Sequence, residues 1–211
     1  MRIALFLLAA LCCISGCAIT NGGVVWPQDT LARAQAAPDF ASYRMQRVAV
    51  VPFTGNNLSA DSSNDLENGL ALELAPRVGF EIVQLTADDL AEIQRAEPYR
   101  RGWYSSSTLL EVSKRFSVDA ILVGTVRELS CYTPQHLTTQ VELVSCETGQ
   151  VAWSSSVELD ARDSRVIKAI EAWYTLDMES HDSPGDEALA FLSPAIFARF
   201  ATRELARSYQ R

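Results

Sequence analysis

The apolar positions of the 211-residue chain change period along its length, and each change marks an element. Arg47-Val48-Ala49-Val50-Val51-Pro52-Phe53 is a short apolar, β-branched run, as a strand buried on both faces should be. Gly55-Asn56-Asn57 breaks it. Ser63 or Asn64 supplies a helix cap, with Glu67 three after Asn64 completing a capping box. Leu66, Leu70 and Leu74, with Ala71 and Ala75, give that helix one apolar face, and Pro76 and Gly79 end it. Phe80-Glu81-Ile82-Val83-Gln84 reads as a second strand, reached through a helix and therefore parallel to the first. Thr86 caps a short helix carrying Leu90 and Ile93. Ser107 or Thr108 starts another, with Leu109, Val112 and Phe116 facing inward. The segment from Val118 to Val126 is a third buried strand.

Beyond this point the period becomes two. Leu137 to Val144 alternates as a half-exposed antiparallel strand does, Glu147-Thr148-Gly149-Gln150 is a tight turn, and Val151 to Leu159 forms the last strand. Residues 122–132 and 137–145 are expected to pair as a hairpin turning at Thr133-Pro134-Gln135. Val166, Ala169, Ile170 and Trp173 then make an amphipathic stripe. Ser193-Pro194 opens a final helix whose inner face carries Ile196, Phe197, Phe200 and Leu205. These elements predict an α/β fold: a three-layer or two-layer sandwich whose mixed sheet has roughly five strands, βαβ followed by an antiparallel meander, flanked by helices.

The N-terminus has a different character. Arg2 precedes an almost unbroken apolar run, Ile3 to Leu11, too short to span a bilayer and of the right length for a signal-peptide core. It ends in Ile14-Ser15-Gly16-Cys17, which resembles the lipobox of bacterial lipoproteins: an aliphatic residue, two small residues that enter the peptidase cleft, and the cysteine whose thiol takes the diacylglyceryl group. The resemblance implies removal of residues 1–16 and lipidation at Cys17, with acyl chains that anchor the protein to one leaflet. Ala18 stands where an aspartate would resemble an inner-membrane retention signal, so an outer-membrane location facing the periplasm is expected. Residues 17–45 then read as the lipidated N-terminus and a tether, helical or irregular near its end, and 46–211 as one periplasmic α/β domain. Trp26-Pro27 is a local anchor in that tether.

A formal net charge of −8 argues against nucleic acid as a partner, since phosphates call for a basic surface. Of five cysteines, only Cys131 and Cys146 lie beyond Cys17. In the expected hairpin Cys131 sits near the turn opposite roughly Thr138, and Cys146 lies about 26 Å further along at strand rise. A disulfide needs Cα atoms within about 7 Å, so two free, mostly buried thiols are expected.

Several of these segments, taken in order, resemble a family. The Val-Ala-Val-Val-Pro-Phe opening at 48–53, Gly79-Phe80-Glu81-Ile82-Val83, Val118-Asp119-Ala120-Ile121-Leu122-Val123-Gly124-Thr125-Val126, and the Glu147-Thr148-Gly149-Gln150-Val151-Ala152-Trp153 turn are similar to the periplasmic domain shared by the envelope lipoproteins CsgG, LpoB and FlgO and the TolB N-terminal domain, over roughly residues 45–180. The resemblance implies a scaffold that binds another periplasmic or outer-membrane protein in assembly or secretion of a surface structure. It also admits a homo-oligomer, and a CsgG-like oligomeric outer-membrane secretion component is the alternative. A CsgG-like barrel would need two long hairpins of about 9–11 alternating residues per strand; the only extended alternation here is already used by the sheet, so no pore is expected.

Candidate chemistry is sparse. His136 beside the turn and His181 in a polar loop lack sequence partners for a nucleophile or a metal cluster, and no phosphate loop, Gly-x-Ser-x-Gly or His-Glu-x-x-His motif is present. The protein is therefore expected to be non-enzymatic, with no cofactor, no metal and no catalytic residue. A cell-wall hydrolase is the alternative of another class, and a cleft joining either histidine to carboxylates would favour it. The contact patch expected from composition is Tyr99, Arg100, Arg101, Trp103 and Tyr104, which mixes basic and aromatic groups in a loop. Arg199, Arg203, Arg207 and Arg211 recur every four residues on the last helix and read as a solvated face.

Overall fold

The computed structural model describes residues 30–96, 105–178 and 193–209. Its centre is one mixed sheet. We label its strands β1 (Arg33–Ala36), β2 (Arg47–Val50), β3 (Thr54–Gly55), β4 (Glu81–Gln84), β5 (Ala120–Ser130), β6 (His136–Ser145) and β7 (Val151–Asp160). The order is β1-β7-β6-β5-β2-β4, with β3 pairing β5. Strands β2, β3, β4 and β5 pair in parallel, whereas β5, β6, β7 and β1 form an antiparallel run. The expected mixed α/β architecture is thus present, with a seven-stranded sheet and helices on both faces.

The helices are α1 (Ala60–Leu74), α2 (Ala87–Ala96), α3 (Ser106–Phe116), α4 (Ser164–Met178) and α5 (Pro194–Arg207). Leu66, Leu70 and Leu74 of α1, Val166, Ile170 and Trp173 of α4, and Phe197, Phe200 and Leu205 of α5 join the larger core on one side of the sheet. Leu90 of α2 and Leu109 and Val112 of α3 join Ala49, Ile121, Val123 and Val144 on the other. The fold is therefore the three-layer form. Helices α1 and α5 approach closely at Gly69, where a Cβ would fall 2.6 Å from Thr202 Oγ1.

Two helix starts differ from expectation. Ser59, not Ser63 or Asn64, caps α1, its hydroxyl accepting from the Ser62 N–H at 3.1 Å. Ser63 and Glu67 are instead buried: the Glu67 carboxylate accepts from the Phe53 N–H at 3.2 Å and lies 2.8 Å from the Ser63 hydroxyl. They fasten the chain leaving β2. Helix α3 likewise begins two residues early, capped by Ser105. Thr86 caps α2 as expected, in a reciprocal pair with Asp89.

The larger correction concerns residues 30–45. What reads as the end of a tether is part of the sheet: β1 pairs antiparallel with β7 in the register Arg33↔Ser156 to Ala36↔Trp153, and Phe40 packs on Tyr209. The physical reason is Glu204 of α5, only 2 % exposed, whose Oε2 accepts from the Leu31 N–H at 2.7 Å and the Thr30 hydroxyl at 3.0 Å.

Candidate functional site

The connection of the β5–β6 hairpin lies beside α1 and the start of α5. Ser130 pairs with His136, so the turn comprises Cys131, Tyr132, Thr133, Pro134 and Gln135, wider than the expected Thr133-Pro134-Gln135, and Thr138, expected opposite Cys131, pairs with Glu128. Cys131 to Pro134 are all exposed, and Tyr132 is 87 % exposed. Gln135 turns the other way and is 1 % exposed, its backbone carbonyl accepting from the Ala161 N–H at 2.9 Å. Neither its side-chain Nε2 nor its Oε1 has a hydrogen-bond partner. Beside it lies a small cleft between the hairpin, α1 and the start of α5, lined among others by Asp65, Cys131, Gln135 and Phe197. An unpaired buried amide costs about 1–3 kcal/mol.

His136 follows directly. Its Nε2 is 3.1 Å from Thr138 Oγ1 and 3.5 Å from a Glu128 carboxylate oxygen, and its Nδ1 is 3.9 Å from Asp160 Oδ2. The histidine does meet carboxylates. The last separation exceeds hydrogen-bond reach, so Asp160 does not orient the ring as the acid of a catalytic triad would. Asp160 is committed elsewhere: hydrogen bonds from the Arg162 guanidinium, the shortest at 2.6 Å, and then from the Arg162 backbone N–H hold its carboxyl down at about 2. His136 lines neither the cleft beneath the tip nor the groove over the sheet.

That groove is the second feature. On the face of the meander away from α1 and α5, pairing across the strands aligns Thr125, Gln140, Ser156 and Arg33 in one row and Glu142, Ser154 and Gln35 in the next. Arg127 donates to Gln140 Oε1 at 2.6 Å. A half-solvated antiparallel sheet alternates in this way, and the face has no nucleophile–base pair built into it.

Both cysteines are free, as expected, but Cys131 is exposed rather than buried because it lies in the turn itself. Cys146 is half-buried; burial, then the Asp119 charge, pushes its thiol up to about 11. At pH 8 roughly 0.1 % of such a thiol is ionised, against about a quarter of a free cysteine. Iodoacetamide should therefore modify Cys131 readily and Cys146 about two hundredfold more slowly than an unperturbed thiol, as read by peptide mass spectrometry. Equal rates at the two sites would contradict the burial.

The arginine face of the last helix is only partly solvated. Arg203 and Arg207 approach Glu204 Oε1 at 3.3 and 3.4 Å, and the Arg203 guanidinium lies 6.0 Å from the Trp173 ring centre. Arg211, His181, the expected contact residues Tyr99, Arg100, Arg101, Trp103 and Tyr104, and Cys17 lie outside the described residues. Among the described residues no group of three or more His, Cys, Asp or Glu side chains is arranged to hold a metal ion, and no helix is long and apolar enough to cross a membrane. The tip residues Tyr132 and Gln135 were not singled out by the sequence pattern; an aromatic side chain inside a turn between two alternating strands is the signal that points to the first, and nothing local points to the second.

No protein-family model and no curated protein matches the chain. Among solved structures it is similar to the PelC dodecamer from Paraburkholderia phytofirmans, at 16% identity over 81% of this chain and 96% of that one, with a TM-score of 0.45. It is also similar to lipoprotein GNA1162 from Neisseria meningitidis (16% identity, 65% of this chain and 99% of that one, TM-score 0.41). The C-terminal domain of LpoB from Escherichia coli, a member of the resembled group, matches at 14% identity over 55% of this chain and 83% of that one, with a TM-score of 0.37. The likeness is partial in each case and carries nothing about the site.

Proposed function

We propose that the protein is a non-enzymatic lipoprotein of the bacterial envelope, held by lipid on Cys17 to the outer membrane, whose α/β domain binds another envelope protein during assembly or secretion of a surface structure. The observation that carries the binding role is the hairpin tip, where Tyr132 is 87 % exposed in a run of four exposed residues. A rigid aromatic group in a turn between paired strands loses little entropy on being covered, which is why such groups anchor interfaces. The anchor is supported by Ile14-Ser15-Gly16-Cys17.

A photo-crosslinking residue placed at Tyr132 in the native envelope tests the contact. A discrete crosslinked protein, absent when the same residue is placed at Leu72 on α1, is the expected result; crosslinking only to lipid, or the same products from both positions, would refute the tip as the contact. A Cys17→Ala chain should lose acyl labelling and membrane retention, and retention of both would refute the anchor.

The His136 cluster keeps a hydrolase as the second reading, since Thr138, His136 and two carboxylates do gather there. The loose Asp160 contact and the absence of His136 from the adjoining clefts favour the binding role. Loss of an envelope phenotype in His136→Ala with an unchanged Tyr132 crosslink would reverse that preference.

A further inference from the structure

We propose that the free edge of β4 is a two-fold interface, at which a second copy of this chain adds its own β4 antiparallel and joins the two sheets into one. The contact lies away from the β5–β6 tip, with β2 between β4 and the hairpin, and is independent of the binding role proposed there.

Strand β4 ends the sheet and pairs only with β2. The Glu81 N–H donates to the Gln46 carbonyl at 2.7 Å and the Leu85 N–H to the Val50 carbonyl at 2.9 Å, so these residues, and Val83 between them, turn their main-chain groups toward β2. Ile82 and Gln84 therefore aim their N–H and C=O groups out of the sheet, and among the described residues nothing bonds to them. An edge of this kind is a template for a further strand. It carries no proline, and its one charge, Glu81, is already paired with Arg47 at 3.1 Å. The opposite edge is less open: Ala34 of β1, whose main-chain groups point away from β7, is only 7 % exposed.

The helix beside this edge indicates the occupant. Helix α1 packs over β2 and β4, and Asn68 accepts from Gln84 Nε2 at 3.0 Å. Asn64, Asn68, Ala71 and Ala75 share the side of α1 turned toward the edge, and Leu72, four residues on from Asn68, is 61 % exposed. None of these is charged. An extended peptide would fill the edge and leave this side of the helix bare, whereas a second copy covers both. In the antiparallel register centred on Val83, Ile82 of each copy exchanges N–H···O=C bonds with Gln84 of the other, which uses every outward group. Each Glu81 then faces Leu85 of the other copy and not its own mate. With strands about 4.8 Å apart, an α1 seated over β2 and β4 stands about 10 Å from its mate, a distance at which small contact residues let helices pack. The two helices run antiparallel, so Asp61 in the first turn of one lies toward the end of the other that carries Arg77.

The test uses the full-length chain in a detergent of matched density. Sedimentation equilibrium should return a dimer. Gln84→Pro should raise its dissociation constant by at least about tenfold, because proline removes an outward N–H from the edge. The far-ultraviolet circular dichroism of that variant should stay native, since no bond to β2 is lost. A second measurement needs no proline. In a chain carrying Cys131→Ser and Cys146→Ser, Val83→Cys should be linked to its own mate by copper–phenanthroline in the native envelope. A non-hydrogen-bonded antiparallel pair sets Cα atoms about 4.5 Å apart, within disulfide reach. Glu81→Cys, about 14 Å from its mate in this register, should stay unlinked. The proposal is overturned if the native chain sediments as a monomer, or if Gln84→Pro dimerises as tightly as the native chain does. It is equally overturned if Glu81→Cys links as readily as Val83→Cys, or if Val83→Cys captures a different protein instead of its own mate.

Discussion

Glu204→Ala should lower the unfolding free energy by about 3–5 kcal/mol, the range for removing one partner from a buried charge cluster. The carboxylate is 2 % exposed and has four partners: the Leu31 N–H at 2.7 Å, the Thr30 hydroxyl at 3.0 Å, and the guanidinium groups of Arg203 and Arg207 at 3.3 and 3.4 Å. Removal leaves the Leu31 N–H without its acceptor and takes the Glu204 carboxylate away from two part-buried guanidinium groups, 16% and 29% exposed. Alanine is the better helix former, but this returns only a few tenths of a kcal/mol. Glu204→Gln keeps the shape and one acceptor oxygen and should cost about 1–2 kcal/mol. The damage should also be local in a defined way. Hydrogen exchange should quicken in β1 and at Ala37, whose N–H donates to the Ala152 carbonyl at 2.8 Å, before it quickens in β5 or β6. Urea unfolding followed by circular dichroism, with exchange read by mass spectrometry, checks both parts. A loss below about 1 kcal/mol with β1 exchange unchanged would show that β1 is held by its pairing to β7 alone.

The same residue shows where the sequence pattern stops being informative. Val48 to Val50 of β2 and Ala120 to Val123 of β5 are legible because they lie between two helical layers and therefore need apolar residues at successive positions. The meander is legible because its outer face meets water. Strand β1 is not: Arg33-Ala34-Gln35-Ala36 has no β-branched residue and would satisfy a loop as well as a strand. Its conformation is imposed by the free edge of β7 and by Glu204, some 170 residues away in the chain. The start of α1 is misread for a related reason. Asn64 and Glu67 have the spacing of a capping box, but Glu67 is needed to bind the Phe53 N–H, so the helix begins earlier and Ser59 caps it. Spacing alone does not separate a group that serves its own helix from one that serves a neighbouring strand. The candidate site is the extreme case. A glutamine after a proline in a turn reads as solvent-facing, and only the packing of α1 and α5 against the hairpin buries Gln135. The lipobox-like Ile14-Ser15-Gly16-Cys17 is, in contrast, a pattern of consecutive residues, so its resemblance is legible without any fold.

Trp153 offers a prediction in which two opposing terms can be told apart. It is 1 % exposed, on β7, and meets Tyr209 edge-to-face with ring centres 5.3 Å apart. Trp153→Ala should cost about 3–5 kcal/mol through the cavity left in the larger core. Its indole N–H, however, is buried without a partner. Trp153→Phe removes that donor along with one ring of volume. Relief of an unsatisfied N–H returns about 1–3 kcal/mol, while the lost volume and contacts cost a similar amount, so the net change should be no more than about 1.5 kcal/mol in either direction. The aromatic contact with Tyr209 survives in the phenylalanine form, so its near-ultraviolet circular dichroism should keep the sign of the native band, whereas the alanine form should lose intensity. Paired unfolding curves of the two variants decide the matter. If phenylalanine costs as much as alanine, the indole N–H is satisfied in solution and the core there is arranged around it; if phenylalanine is near neutral, the residue is retained for its volume against Tyr209 and not for its polar atom.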